Sequence, residues 1–202
     1  MGIKGCGGGC VPPFFSVWDE TLVMEDVYRP GEDSYLLARH VRRLVHGEVL
    51  DMGTGSGIQA VEAALKPEVS RVVAVDVSPA AVEAAKRRAE SGGVLGKIEF
   101  IRSDLFENVE GVFDWIVFNP PYLPGEGDAD EASWTGGETG AETVRRFLHD
   151  ARSHLKKRGS LLMVYSDHTG LEEEDFREYV VEKLDELSLF FETLFCVALT
   201  PS

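Results

Sequence analysis

The run Asp51-Met52-Gly53-Thr54-Gly55-Ser56-Gly57 constrains this chain more than any other feature. It closes an apolar strand-like stretch at 48–53 and opens a helical pattern with Ile58, Val61 and Leu65 on one side, ended by Pro67. Three glycines at a strand-to-helix turn let the backbone come close to a ligand. In an open α/β sheet such a turn lies at the carboxyl edge of the strands, where nucleosides bind. A glycine loop alone is weak evidence, so the residues around it must decide what it holds.

The rest of the chain continues the alternation. Further strands read at 71–78, 97–104, 113–119, 160–166, 187–191 and 193–199, with helices between all but the last pair. Ser78 and Pro79 form an N-cap and first-turn pair ahead of Val82, Ala85 and Ala89, and Gly92-Gly93 stops that helix. From Ala141 the positions Val144, Phe147, Leu148, Ala151 and Leu155 keep helical spacing, and Lys156-Lys157-Arg158-Gly159 reads as a cationic last turn with a terminating glycine. The pattern predicts an α/β fold, a Rossmann-like, seven-stranded, mostly parallel sheet with helices on both faces. It occupies one domain over 27–202, behind a flexible glycine-rich segment and lead-in at 1–26.

Composition excludes several classes of function. The 202 residues, 44% hydrophobic and 27% charged, suffice for a full core without disulfides, and three cysteines cannot build a disulfide framework. No apolar run approaches the roughly 18 residues of a membrane span, and the start lacks the apolar stretch of a secretory signal, so the chain reads as cytoplasmic. Thirty-five acidic residues against twenty basic ones leave a net charge of −15, which repels polyphosphate and disfavours a free nucleic-acid substrate. Cys6 and Cys10 bracket three glycines, yet no nearby cysteine or histidine completes a zinc set, and no metal is expected.

Two nucleoside sites compete for the glycine loop. A dinucleotide fold would face it with a pyrophosphate, and a methyltransferase fold with the amino-acid end and sulfonium of S-adenosylmethionine. Asp51, two residues before Gly53, is unwelcome beside a pyrophosphate and suits an ammonium, which favours the second. Asp76 follows Gly53 by 23 residues at the end of the second strand, where a carboxylate accepts both ribose hydroxyls. Asp104 ends the third strand and is placed to accept the adenine amino group. With Gly55 and Gly57, these acids outline a nucleoside pocket.

The fourth strand runs into Asn119-Pro120-Pro121-Tyr122. An amide or amino-purine nitrogen has its lone pair spread into a π system, so methylating it requires the nitrogen to be held in line with the donor. The Asn119 side chain and the Pro120 carbonyl offer one acceptor to each N–H, Pro120 and Pro121 stiffen the turn, and Tyr122 flanks a planar group.

These motifs resemble the HemK-type class I methyltransferases, in particular the archaeal and eukaryotic branch that methylates a release-factor glutamine. Val27-Tyr28-Arg29-Pro30-Gly31-Glu32-Asp33-Ser34-Tyr35-Leu36-Leu37 is similar to that branch's entry segment, Trp134-Thr135-Gly136-Gly137 with Gly140 to its tryptophan-glycine-glycine segment, and Glu192-Thr193-Leu194 to its final strand. The resemblance implies a class I fold and methyl transfer to the glutamine amide of a Gly-Gly-Gln loop, with S-adenosylhomocysteine as product. It also implies that Ser34 and Asn119 touch the cofactor, that Asn119, Pro120, Tyr122 and Trp134 face the acceptor, and that a small zinc-binding activator subunit completes a heterodimer. The sequence departs from the pattern at Gly31, where alanine is usual, and in the four acids of 123–133.

Rival readings stay open at this point. An adenine amino methyltransferase presents the same conjugated NH2 to the same tetrapeptide, a lysine methyltransferase would suit the acidic segment, and a binding or stabilising subunit would need no turnover. The third strand, with Ile98, Phe100 and Ile101, is expected at the sheet edge. Either a partner strand adds there, tested at Glu99 and Arg102, or those side chains only pack against flanking helices.

Overall fold

The computed structural model describes residues 29–121 and 140–202. The chain enters through α1 (Glu32–Leu44), β1 (Gly47–Met52), α2 (Ile58–Ala64), β2 (Val69–Asp76), α3 (Pro79–Ser91) and β3 (Ile98–Arg102). It continues with β4 (Phe113–Phe118), α4 (Glu142–Ala151), β5 (Leu155–Ser166), β6 (Tyr179–Ser188) and β7 (Thr193–Pro201). The seven strands lie in the order β3-β2-β1-β4-β5-β7-β6, with parallel pairing from β3 through β5 and β7 antiparallel to both its neighbours.

The alternation of apolar side chains along the central strands builds two cores. Val49, Val72, Ala74, Val117, Leu162 and Val164 face one side, where Leu36, Leu37 and Val41 of α1, Ala60, Ala63 and Ala64 of α2, and Ala89 of α3 cover them. Leu50, Val73, Ile116, Phe118, Leu161 and Met163 face the other, under Val144, Phe147, Leu148 and Ala151 of α4. Both faces are therefore dry, which is why these strands read as near-continuous apolar runs. Among the described residues no helix is long and apolar enough to cross a membrane.

Two expectations are corrected. The helical pattern from Ala141 ends at Ala151, not beyond Leu155; a short 3-10 turn, Arg152–His154, intervenes and Leu155 begins β5 opposite Phe113. Lys156 donates to Asp114 Oδ2 at 2.8 Å across the strand pair, in place of the expected cationic helix end. Gly159 sits where a Cβ would lie 2.7 Å from the Phe113 carbonyl, so it serves strand approach at an irregular register and not a helix cap. No α-helix separates β5 from β6: only a 3-10 turn at Glu173–Phe176 does, and the following Tyr179-Val180-Val181 suits the extended pairing with β7.

Gly57 shows how tightly the loop is set. It takes φ +80°, and a Cβ there would stand 2.7 Å from Ala85 Cα on α3. Both the backbone conformation and the helix approach require glycine. Gly57→Ala should destabilise the chain by roughly 2 kcal/mol, read as a lower urea midpoint with an unchanged slope.

β3 is an outer strand, as expected, and its outward backbone edge pairs with no strand among the described residues. Ile98 is buried, Phe100 and Ile101 pack partly against the two cores, and Glu99 and Arg102 are exposed. Glu99 pairs with Arg71, and Arg102 Nε donates to the Val77 carbonyl at 3.2 Å. At the opposite edge β6 carries Glu182, Lys183, Asp185 and Glu186 and a register irregularity, devices that blunt an open strand.

Candidate functional site

The carboxyl ends of β1, β2 and β4 bring the expected residues to one edge. Gly53, Gly55 and Gly57 all have positive φ, at +60°, +52° and +80°. A Cβ on Gly53 would press on the Phe118 ring and one on Gly57 would strike α3, but one on Gly55 would meet only the Gly53 carbonyl at 3.9 Å. Gly55 therefore borders open space.

Asp51 is buried beneath this loop. Its Oδ2 accepts from Thr54 Oγ1 at 2.7 Å and from the Ala60 N–H at 2.9 Å, tying the loop to the start of α2. Burial pushes its carboxyl from 3.8 to about 7, opposed by those two donors and reinforced by the charge of Asp76. Because the folded value lies above the unfolded one, the stability this carboxyl contributes is full below about pH 4 and is lost as pH rises through about 7. A cationic ligand against the loop draws the proton off. Binding of S-adenosylmethionine should then release up to about one proton near pH 6 and tighten between roughly pH 6 and 8. Calorimetry in two buffers of different ionisation enthalpy measures this; a proton count near zero at pH 6 would remove Asp51 from the ligand's surroundings.

Asp76 is half-buried at the end of β2. Its Oδ2 accepts from the Gly55 N–H and its Oδ1 from the Ser78 N–H, both at 2.9 Å, and burial raises its carboxyl above the ordinary range. The same side chain thus orders the glycine loop and the start of α3, and each oxygen keeps a second lone pair for a hydroxyl.

Asp104 lies two residues beyond the end of β3, not at it. Its side chain is 44% exposed and accepts from Arg146 Nη2 of α4 at 2.9 Å. Next to it Leu105 holds φ +45°, the one non-glycine residue with positive φ among the described residues. Asp104, Leu105, Phe106, Arg146 and His154 line a cavity of about 350 Å³. The Ser103 N–H donates to the Asp76 carbonyl at 3.0 Å, which keeps Asp104 one residue beyond a direct backbone contact with Asp76.

Asn119 follows β4 directly. Its Nδ2 donates to Asp33 Oδ2 at 2.9 Å and to Ser34 Oγ at 3.3 Å, both in the first turn of α1. These two acceptors fix the orientation of the amide, and its buried Oδ1 finds no hydrogen-bond partner among the described residues. An orphaned buried acceptor is costly, and at the edge of a ligand site it is the mark of a group waiting for a donor. Ser34 is held in turn: its N–H donates to Asp33 Oδ1 and its carbonyl accepts from Gln59 Nε2 at 2.9 Å. Pro120 and Pro121 continue the turn at the same edge. Tyr122, Trp134, the acidic segment 123–133, Cys6 and Cys10 lie outside the described residues.

Asp33, Gln59 and Arg146 were not singled out from the sequence. Asp33 lies inside the entry segment 27–37, but nothing local shows that it and Ser34 together hold Asn119. Arg88, whose Nε donates to the Ser56 carbonyl at 2.6 Å, likewise stiffens the loop from α3 without any sequence signal. Among the described residues no group of histidine, cysteine and carboxylates is arranged to hold a metal.

Comparison with known proteins shows the family of the chain. Residues 29–187 match the family model described as methyltransferase small domain. A protein of Methanocaldococcus jannaschii, whose name proposes N5-glutamine methyltransferase activity, is 40% identical over 153 residues, 73% of this chain and 76% of that one. The ribosomal protein uL3 glutamine methyltransferase of Bradyrhizobium diazoefficiens is 35% identical over 68% of this chain, and the release factor glutamine methyltransferase of Chlorobaculum tepidum 41% over 49%. The matched parts span 46% and 32% of those two bacterial relatives. The structure of the ribosomal protein L11 methylase from Lactobacillus delbrueckii subsp. bulgaricus superposes with a TM-score of 0.60 at 21% identity, covering 85% of this chain and 80% of that one, and shares its fold.

Proposed function

The chain belongs to the methyltransferase small domain family, and from that premise we propose that it methylates the side-chain amide nitrogen of a glutamine in a peptide chain release factor. The observation that carries the acceptor is Asn119 Oδ1, buried, without a partner among the described residues and fixed in direction by Asp33 and Ser34. A primary amide brings two N–H donors; Asn119 Oδ1 accepts one and the Pro120 carbonyl the other, so the nitrogen is held with its lone pair directed along the line of attack. The relatives named for N5-glutamine methylation support glutamine over adenine and lysine, and the net charge of −15 also argues against a free nucleic acid.

S-adenosylmethionine, when bound, supplies an electrophilic methyl on a sulfonium. In this reading the glycine loop 53–57 lies against its amino-acid end, Asp76 accepts from the ribose hydroxyls and Asp104 from the adenine amino group. Ser34 and Asp51 complete the surroundings. The open side of Gly55 and the unpartnered Asn119 oxygen fit such a ligand and acceptor. Tyr122 and Trp134 are assigned to the acceptor side on the resemblance alone. The reaction is placed in the cytoplasm with its substrate.

The partner reading is a small activator subunit, zinc-binding in the family this chain resembles, adding a strand to β3. Its support is the unpaired outer edge of β3. Reversing charge at both Glu99 and Arg102 should abolish co-purification with the activator and shift the thermal midpoint of the chain alone by under about 2 °C, since exposed ion pairs contribute little.

The central test is transfer of tritiated methyl from the donor to a purified release factor carrying Gly-Gly-Gln, beside its Gly-Gly-Ala variant. Label is expected in the first and absent from the second. Label in both, or in neither while ribosomal protein uL3 is labelled, would reassign the acceptor.

A further inference from the structure

The hairpin joining β6 to β7 ends in Leu189-Phe190-Phe191-Glu192, closed by the Leu189 N–H donating to the Glu192 carbonyl at 2.8 Å. Two-residue hairpin turns ordinarily carry glycine, asparagine or aspartate. Here both central positions are phenylalanine, 92% and 83% exposed, with their rings in edge contact at 4.7 Å. They are the two most exposed large apolar side chains among the described residues.

The tip is held rigidly. His168 Nε2 bonds the Phe191 carbonyl at 2.7 Å, the Thr193 N–H donates to Asp167 Oδ1 at 2.9 Å, and the Asp167 N–H to the Thr193 carbonyl at 3.0 Å. All three anchors come from the end of β5 or the turn after it. With the backbone of the turn already fixed, contact has only the two side chains to order, which is what a docking element requires.

Its position follows from the sheet register. β4 pairs with β5 as Phe118↔Met163, and β5 with β7 as Val164↔Cys196 and Ser166↔Leu194. The tip therefore stands two strands sideways from Asn119 and several residues above it on the same sheet edge. At about 4.8 Å per strand and 3.3 Å per residue, the separation is on the order of 20 Å. A peptide with its glutamine at Asn119 reaches the tip only through residues about five or six positions away, or through another loop of the same folded protein. Asp167, 45% exposed beside the His168 imidazole, and Glu192 border the tip of a chain whose net charge is −15. The surface that fits is apolar with basic neighbours.

We propose that the Phe190-Phe191 tip is a docking site for the acceptor protein at a basic, apolar segment remote from the methylated glutamine. This rests on the glutamine reading and adds what selects the protein that presents it. The test compares the full chain with Phe190→Ser/Phe191→Ser, using the intact Gly-Gly-Gln release factor and a Gly-Gly-Gln peptide of about seven residues with the glutamine at its centre, so that neither end reaches the tip. With the intact protein KM should rise about tenfold with kcat within twofold. The peptide kinetics, cofactor affinity and thermal midpoint should stay put, and Phe190→Leu/Phe191→Leu should recover most of the loss.

An unchanged KM for the intact protein overturns the proposal, as does an equal loss on the peptide. So does a chain that sediments as a dimer and becomes monomeric in the double variant, since the tip would then hold a second copy. Absence of transfer to both substrates, by the unaltered chain alone and with its activator subunit, overturns the glutamine reading itself, an outcome distinct from normal transfer with a tip that does not matter.

Discussion

Replacing Asn119 with alanine is expected to lower the rate of methyl transfer about 10³-fold, near 4 kcal/mol of lost transition-state stabilisation, while cofactor affinity changes less than tenfold. The asymmetry follows from geometry. The amide nitrogen of Asn119 is spent on Asp33 and Ser34, and only Oδ1 is directed to a further donor. Asn119→Asp should be nearly as damaging, because it sets a second carboxylate 2.9 Å from Asp33 Oδ2 where a donor now stands. Asp33→Ala should cost about tenfold to a hundredfold by letting the amide turn, with Asp33→Asn partly restoring the rate, as befits a positioning residue. Single-turnover kinetics beside cofactor titration separates these effects. A cofactor affinity that falls more than tenfold in Asn119→Ala would mean that this side chain serves the donor.

Asp76→Ala is expected to do the reverse, weakening S-adenosylmethionine by about 10- to 150-fold, or 1.5–3 kcal/mol, with a smaller effect on the single-turnover rate at saturation. The upper part of that range is expected. The substitution removes acceptors from two ribose hydroxyls and also leaves the Gly55 and Ser78 N–H groups without their partner, loosening the loop itself. Asp76→Asn keeps one oxygen and turns an NH2 toward a backbone donor, so it should not rescue. Unchanged affinity in calorimetry would sink the ribose assignment.

Much of this site was legible in one dimension because its signals are local. Gly53, Gly55 and Gly57 announce positive φ, and all three have it. Ser78 followed by Pro79 announces a helix start, and Ser78 Oγ accepts from the Ala81 N–H as an N-cap does. Apolar runs mark six of the seven strands where they stand, whereas the one expected at 187–191 lies at Tyr179–Ser188 and residues 189–192 form the turn after it; a proline pair after the fourth strand places Asn119 at its end. Each depends on the conformational preference of a few adjacent residues, which the order of amino acids contains.

Other features depend on which segments meet. Leu155 satisfies a helical stripe as well as it satisfies a strand; only its pairing with Phe113, and the room Gly159 leaves for the Phe113 carbonyl, decide for the strand. The charged stretch before Leu187 could have turned as a helix until β7 offered it nine paired positions. Asp104 was expected at a strand end facing a nucleoside, and the approach of α4 gave its carboxylate to Arg146 as well. The contact that orients the candidate catalytic amide joins Asn119 to Asp33 across 86 positions of sequence. The sequence by itself therefore determined the central parallel strands, the glycine loop and the residues at the edge, but not the start of β5 or the course of β6. Tertiary structure alone decided their partners, because a hydrogen bond between distant residues is fixed by the packing of whole elements and leaves no trace in the preferences of either residue's neighbours.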